Sequence, residues 1–294
     1  MDRLVEYARE GLVARLTLNS PHNRNALSTT LVTQLHEGLR DAEADPAVRV
    51  VVLAHTGGTF CAGADLSEAG GGDRGDRERG AAGRSGSPPS ARGDRERGAA
   101  GRSGSPPSAY DMAVARAREM TALLRAIVSS PRPVIAAIDG HVRAGGFGLV
   151  GACDLVVAGP RSTFALTEAR IGVAPAIISL TLLPKLSPRA AARYYLTGET
   201  FGASEAAEIG LITRAADDVD AAVAALVADV SRGSPQGLAA SKALTAAAVL
   251  DGFDRDAERL TEESARLFVS DEAREGMLAF LQKRPPSWVQ HSDA

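Results

Sequence analysis

Two stretches of the chain put glycines where an apolar strand gives way to a new element, and such places hold negative charge well. Asp139 to Asp154 reads DGHVRAGGFGLVGACD. Before it, Pro133 to Ile138 (PVIAAI) is short, apolar and proline-bounded, which predicts a buried strand. After the glycines, Phe147, Leu149, Val150 and Ala152 predict a short packed helix. A strand that turns through glycine into a helix N-terminus leaves backbone N–H groups unpaired, and these attract an anion or a developing oxyanion. The same glycines also suit tight strand-to-helix packing. The second stretch, Gly57 to Leu66 (GGTFCAGADL), follows the β-branched run Val48 to Leu53, which predicts a strand covered on both faces. Metal-ligand spacing is missing, because His22, His36, His55, His141 and His291 are scattered and Cys61 and Cys153 form no CxxC pair.

These stretches sit in a chain of 294 residues, 45% hydrophobic and 23% charged, long enough for a large core and consistent with one domain plus a smaller appendage. A formal charge of −3 argues against nucleic acid or a membrane surface as partner, since neither binds well without a concentrated basic face. The N-terminus MDRLVEYARE has no apolar signal core, and no apolar run approaches the roughly 20 residues that span a bilayer. A cytoplasmic location without disulfides is the expectation.

The elements that must position the two stretches can be read in order. Leu12 to Leu18 alternates as a half-exposed strand and ends at Asn19-Ser20-Pro21. Ser28 caps a helix with Leu31, Val32, Leu35 and Leu39 on one face, running to the break at Ala44 to Pro46. Met120, Leu123, Leu124, Ile127 and Val128 mark an amphipathic helix that Pro131 and Pro133 end. Leu155 to Ala158 and Thr163 to Leu166 read as strands. Beyond them the pattern is helical: Ala190 to Leu196, Ser204 to Ile209, Ala221 to Val230, Gly237 to Leu250, Arg255 to Phe268 and Asp271 to Gln282. Early strands with crossover helices followed by helices predict an α/β core with a helical C-terminal part.

From Ser67 to Ser108 the composition shifts to Gly, Arg, Ser, Pro and Asp, and Arg74 to Ala91 (RGDRERGAAGRSGSPPSA) recurs without change as Arg92 to Ala109. Each copy holds four arginines and two acids, so the pair carries +4 and the rest of the chain −7. Two identical copies without a large apolar residue differ from solenoid repeats, which keep a buried apolar pattern, and predict a disordered surface insertion made by duplication. A basic tether, or a receptor ligand through the Arg-Gly-Asp triplets, is the functional alternative.

Apart from that insertion, nearly the whole chain resembles the crotonase, or enoyl-CoA hydratase/isomerase, family. The anchors are Asn23-Arg-Asn-Ala-Leu27, Phe60 to Leu66 (FCAGADL), Pro133 to Asp154, Phe164 to Gly172 (FALTEARIG), Thr197-Gly198, Ala206 to Ile212 (AAEIGLI) and Glu275 to Arg284. Each is weak alone; all of them in this order are specific. The resemblance implies an α/β fold, the repeated ββα superhelix with a helical C-terminal trimerisation region, divided into a core at 1–200 (carrying the insertion at 67–109) and a helical region at 201–294. It also implies a homotrimer or homohexamer acting on an acyl-CoA thioester, with coenzyme A carried by the substrate and no separate cofactor.

By motif position, the resemblance puts the two oxyanion-hole N–H groups on Ala64 and Gly145 and the catalytic acid/base on Glu168. It assigns substrate and CoA contacts to Arg24, Ala26, Ala62, Asp65, Leu66, Gly146, Gly148, Phe280 and Lys283. Lys283 also suits a helix-end cation, and Glu168 a solvated charge. Hydratases of the family use two carboxylates, and the first should fall at position 148, where this chain has glycine. Glycine inside a helix costs about 1 kcal/mol relative to alanine, so the expectation is that Gly148 leaves room for a bulky acyl group or a water, with neutral loss as the alternative.

The resemblance therefore implies a 2-enoyl-CoA hydratase. An enoyl-CoA isomerase with Glu168 as sole acid/base is the second reading, and a non-catalytic thioester-binding trimeric scaffold the third. One carboxylate suffices to move a double bond, and feruloyl-CoA hydratase-lyases of the family also keep only the acid matching Glu168. Ile177, Ile178 and Leu180 depart from the glycine-rich form of short-chain hydratases, and either reshape the acyl pocket or fill a helix core. For the insertion, deleting Arg74 to Ala91 is expected to leave the melting temperature and oligomeric state unchanged; a large fall in melting temperature would mean that the copy packs on the core.

Overall fold

The computed structural model describes residues 3–65, 68 and 107–289. Leu66 and the duplicated segment up to 106 lie outside the described residues. β1 (Val5–Glu10) and β2 (Val13–Leu18) form an antiparallel hairpin. The hairpin's first strand is not marked in the sequence by an apolar alternation, since most of it is exposed. α1 (Thr29–Ala44) starts where expected, with Ser28 accepting a hydrogen bond from the Leu31 N–H.

From there the chain alternates between two sheets. β3 (Val50–His55), β5 (Val134–Ile138) and β7 (Leu155–Ala158) join β2 in parallel, and β10 (Arg214–Ala215) closes a six-stranded sheet in the order β1-β2-β3-β5-β7-β10. Each of these three central strands is followed by a short strand of a second sheet: β4 (Thr59–Cys61), β6 (His141–Arg143) and β8 (Thr163–Ala165). With β9 (Phe201–Gly202) they make a four-stranded sheet in the order β4-β6-β8-β9. This is the ββα repeat: every strand pair carries the chain from the large sheet to the small one. α2 (Ala109–Ser129) and α3 (Gly145–Ala152) then cross back.

One face of the large sheet presents Val50, Val52, Ile135, Ala137 and Val157 to α7, numbered here after α4 (Ser179–Leu182), α5 (Pro188–Thr197) and α6 (Ala203–Glu208); α7 is Val219–Ser231. The other face presents Leu16, Leu18, Val51, Leu53, Ala136 and Ile138 to the main core under α1 and α2. Thus the continuous apolar reading of Val48 to Leu53 is explained by helices on both sides. The expected helices at Gly237 to Leu250 and Arg255 to Phe268 are one helix, α8 (Pro235–Phe268). The turn-like Asp251-Gly252 does not break it, because buried Val249 and Phe253 flank the glycine and hold the helix to the core. α9 (Asp271–Leu281) follows.

α8 is fixed to the strands by an ion pair between buried Lys242 and half-buried Asp154. Lys242, 6% exposed, donates to the Ile127 and Arg132 carbonyls at 2.9 and 3.0 Å and meets Asp154 Oδ2 at 2.7 Å. The same Oδ2 accepts from the Val134 N–H at 2.7 Å. One ammonium therefore joins the end of α2, the approach to β5 and the residue before β7. Removing one partner of such a pair leaves the other uncompensated. Lys242→Ala is expected to lower unfolding free energy by about 3 kcal/mol or more in a urea titration; a loss below about 1 kcal/mol would assign the fixing of α8 to apolar packing alone.

Candidate active site

The small sheet decides which residues meet. Its strands β4, β6 and β8 are parallel neighbours, with Cys61 beside Val142 and Arg143 beside Ala165. Ala64 lies three residues beyond the end of β4, Gly145 two beyond β6 and Glu168 three beyond β8. All three thus leave the same end of adjacent strands, about 5 Å apart per strand. None of these three-residue strands stands out in the sequence; they exist by pairing with one another.

The first two turns touch. Gly63 has φ +95°, and a Cβ there would lie 2.5 Å from Ala144 Cβ and 3.4 Å from the Gly145 nitrogen, so only glycine fits. Ala144 takes φ 44° and ψ −121°, a strained conformation for a residue with a side chain. Leu27 pairs with the first turn, its N–H donating to the Gly63 carbonyl at 2.7 Å and its carbonyl accepting from the Asp65 N–H at 3.4 Å. That pairing turns the N–H of Ala64 away from Leu27. Among the described residues neither the Ala64 nor the Gly145 N–H donates to a turn or loop carbonyl. Gly145 opens α3, where the aligned peptide dipoles add positive potential.

Glu168 begins a 3-10 turn (Glu168–Ile171) and is 8% exposed. Its Oε2 is buried without a hydrogen-bond partner, and burial pushes its pKa up to about 7. A carboxyl in that condition exchanges protons near neutral pH. Arg170 ties the turn to the end of α5 by donating from Nη2 to the Thr197 carbonyl at 2.7 Å.

The early turn joins the site through its backbone. Ala62 N–H donates to the Arg24 carbonyl at 3.1 Å, and Asn23 Nδ2 donates to Asp65 Oδ2 at 2.8 Å beside a cavity of about 290 Å³. Ala26 is buried beneath it and the Arg24 side chain is exposed. Asn25 anchors the turn: fully buried, it accepts from the Ser20 N–H at 2.7 Å and donates to the Thr56 and Thr59 carbonyls at 3.0 and 2.8 Å. Sequence reasoning had it only as part of a motif. Phe280 and Lys283 are exposed at the end of α9, and among the described residues no hydrogen bond or ion pair links them to the early turn.

Gly146 is buried against Cys61, whose Cβ lies 2.8 Å from where a Cβ at 146 would be. The room expected at Gly148 is taken. A Cβ there would meet Ile178 Cγ2 at 2.7 Å, Leu124 Cδ1 at 3.0 Å and Met120 Cε at 3.1 Å. The Met120 methyl also lies 3.7 Å from a Cβ built on Gly145, and Leu27 Cδ1 lies 2.8 Å from it, so Leu27 and Met120 flank the turn at Gly145. Ile178 is a buried core residue that fills the place of a side chain at 148. Gly148→Glu would bury an unpaired carboxyl among three apolar side chains, and is expected to cost about 2 kcal/mol or more of stability without raising hydration activity; a variant as stable as the parent in thermal unfolding would show that Ile178 yields.

Residues 8–83 and 109–291 match the family model described as enoyl-CoA hydratase/isomerase. A crystal structure of an enoyl-CoA hydratase from Mycobacterium avium is 70% identical, with 98% of this chain and 100% of that one covered at a TM-score of 0.82. The mevalonyl-coenzyme A hydratase sidH of Aspergillus fumigatus is 29% identical over 285 residues, 93% of this chain and 90% of its own length. The carnitinyl-CoA dehydratase of Escherichia coli K12 is 28% identical over 302 residues, 98% of this chain and 99% of its own. A family match over most of the chain, on a fold that brings the strand-end turns together, leaves one conclusion: the chain belongs to the enoyl-CoA hydratase/isomerase family.

Proposed function

We propose that this protein is an enoyl-CoA hydratase that adds water across the C2–C3 double bond of a 2-enoyl-CoA thioester. The observation that carries the reading is Glu168: a buried carboxyl with an unpartnered oxygen, next in strand order to two backbone N–H groups that among the described residues donate to no turn or loop carbonyl. In this reading the thioester oxygen lies between the N–H groups of Ala64 and Gly145. As the water oxygen bonds to C3, charge passes to the thioester oxygen and Glu168 takes the water's proton. Glu168 then delivers a proton to C2, the enolate collapses and the carboxylate is restored. Fixed donors in a dry site oppose the developing charge, and one such donor is worth about 3 to 4 kcal/mol.

The nucleotide part of the substrate fits the early turn, with Arg24, Ala26, Ala62 and Asp65 along one edge. Phe280 and Lys283 would reach a thioester from the end of α9 in a trimer or hexamer, which is the assembly we propose. Coenzyme A arrives on the substrate, so the reaction draws on no separate cofactor. Among the described residues no group of three or more His, Cys, Asp or Glu side chains is placed to hold a metal, and no helix is long and apolar enough to cross a membrane. The relatives that act on mevalonyl-CoA and carnitinyl-CoA support an acyl-CoA substrate.

Glu168→Gln is expected to lower hydration about 10²- to 10⁴-fold, followed by loss of the conjugated thioester absorbance. Retained hydration would overturn the reading, and rapid 3-enoyl to 2-enoyl conversion without water addition would replace it by isomerisation. The carboxyl also has a stability signature. Its folded-state pKa, about 7, lies above the ordinary 4.5, so the folded protein holds a proton that the unfolded chain has released between those values. Stability is therefore highest below the lower value and falls as pH rises through the upper one. Between pH 5 and pH 8 the parent should lose about 2 to 3 kcal/mol more than Glu168→Gln in chemical denaturation.

A further inference from the structure

Water addition needs the nucleophile held at C3, and position 148 offers no side chain to hold it. Polar groups lie in the segment packed over that gap in the chain. Ile178 covers Gly148, and Thr181 Oγ1 donates to the Gly148 carbonyl at 3.1 Å. Between them in sequence, half-buried Ser179 donates to the Pro175 carbonyl at 2.7 Å, which leaves its Oγ free to accept. The Tyr195 hydroxyl lies 3.1 Å from that Oγ. With Ser179 committed to Pro175, Tyr195 donates to Ser179 and its own oxygen keeps two lone pairs.

Tyr195 is also brought to Glu168 by the backbone. It sits on α5, which packs on the Glu168–Ile171 turn and is tied to it by Arg170 and Thr197 two residues further on. Gly198 lies against the Leu166 carbonyl, where a Cβ would come within 3.0 Å. Glu168 supplies a buried carboxylate oxygen without a partner, and Tyr195 supplies an oriented acceptor on the element beside it. Burial is the main cause that raises the Tyr195 pKa to about 12, and the Glu168 charge adds to it, so the phenol stays protonated.

We propose that the Tyr195 hydroxyl, oriented by Ser179, is a positioning residue that holds the water Glu168 activates, replacing the carboxylate missing at Gly148. The water donates one hydrogen to Glu168 Oε2 and the other to the Tyr195 oxygen. The first is transferred as the C3–O bond forms, and the second stays with the product hydroxyl. This rests on the hydratase reading above and assigns Tyr195 to the C3 step alone.

The test separates the two steps. In deuterium oxide, C2 proton exchange on a saturated acyl-CoA such as butyryl-CoA needs Glu168 and the oxyanion donors but no water at C3. Tyr195→Phe is expected to lower kcat for hydration about 10- to 100-fold, with KM within about threefold and C2 exchange within about threefold of the parent. Ser179→Ala should show a smaller loss of the same kind. Hydration by Tyr195→Phe at the parent rate overturns the proposal while the reading stands, and so does an equal loss of hydration and exchange, which would mark a structural role. If Glu168→Gln keeps both activities, it is the reading that fails.

Discussion

The site depends on how closely two backbone turns approach. Gly63 and Ala144 lie so near that a methyl group on the glycine would overlap the one on the alanine. Ala144 is held at φ 44°, a conformation that costs of order 1 to 3 kcal/mol for a residue with a side chain. Three supports offset this strain: the parallel pairing of β4 with β6, the pairing of Leu27 around Ala64, and the contact of Gly146 with Cys61.

Polar residues inside the protein do the fastening. Asn25 holds the early turn to the loop between β3 and β4 with its whole side chain. Lys242 holds the chain on both sides of β5, the strand that leads through β6 to the turn at Gly145. In both cases the partner is mainly backbone, so the contact fixes where the chain runs. Apolar burial stabilises the layers without choosing their offset, and a few satisfied polar groups settle it.

Long, periodic elements were legible in the sequence. α1 follows from its cap and apolar spacing, α2 from apolar spacing and the prolines that end it, and β3 and β5 from short apolar runs bounded by turn residues. The strand-glycine-helix pattern at Ile138 to Ala152 also led to Gly145. Features made by distant pairing were not legible. β4 and β6 are three residues each and acquire their shape from each other. α8 was expected as two helices, Gly237 to Leu250 and Arg255 to Phe268, whereas buried Val249 and Phe253 on either side of Gly252 carry one helix through. The gap at Gly148 was visible, but its filling by Ile178, Leu124 and Met120 depends on three elements far apart in the chain. Tyr195 read only as one residue of a helix, since its partner Ser179 is sixteen positions away.

The balance of Glu168 between its two protonation states extends beyond a single turnover. A carboxyl with a pKa about 7 is present in comparable amounts as acid and as base at neutral pH. In the proposed reaction Glu168 begins water addition as the carboxylate and is a carboxylate again at its end, so water elimination starts from that same form, which is well populated at neutral pH. Nothing in such a site acts as a ratchet. The ratio of unsaturated to hydroxylated thioester around it would set the direction of net flow, making the protein a conduit that runs whichever way its neighbours in metabolism pull.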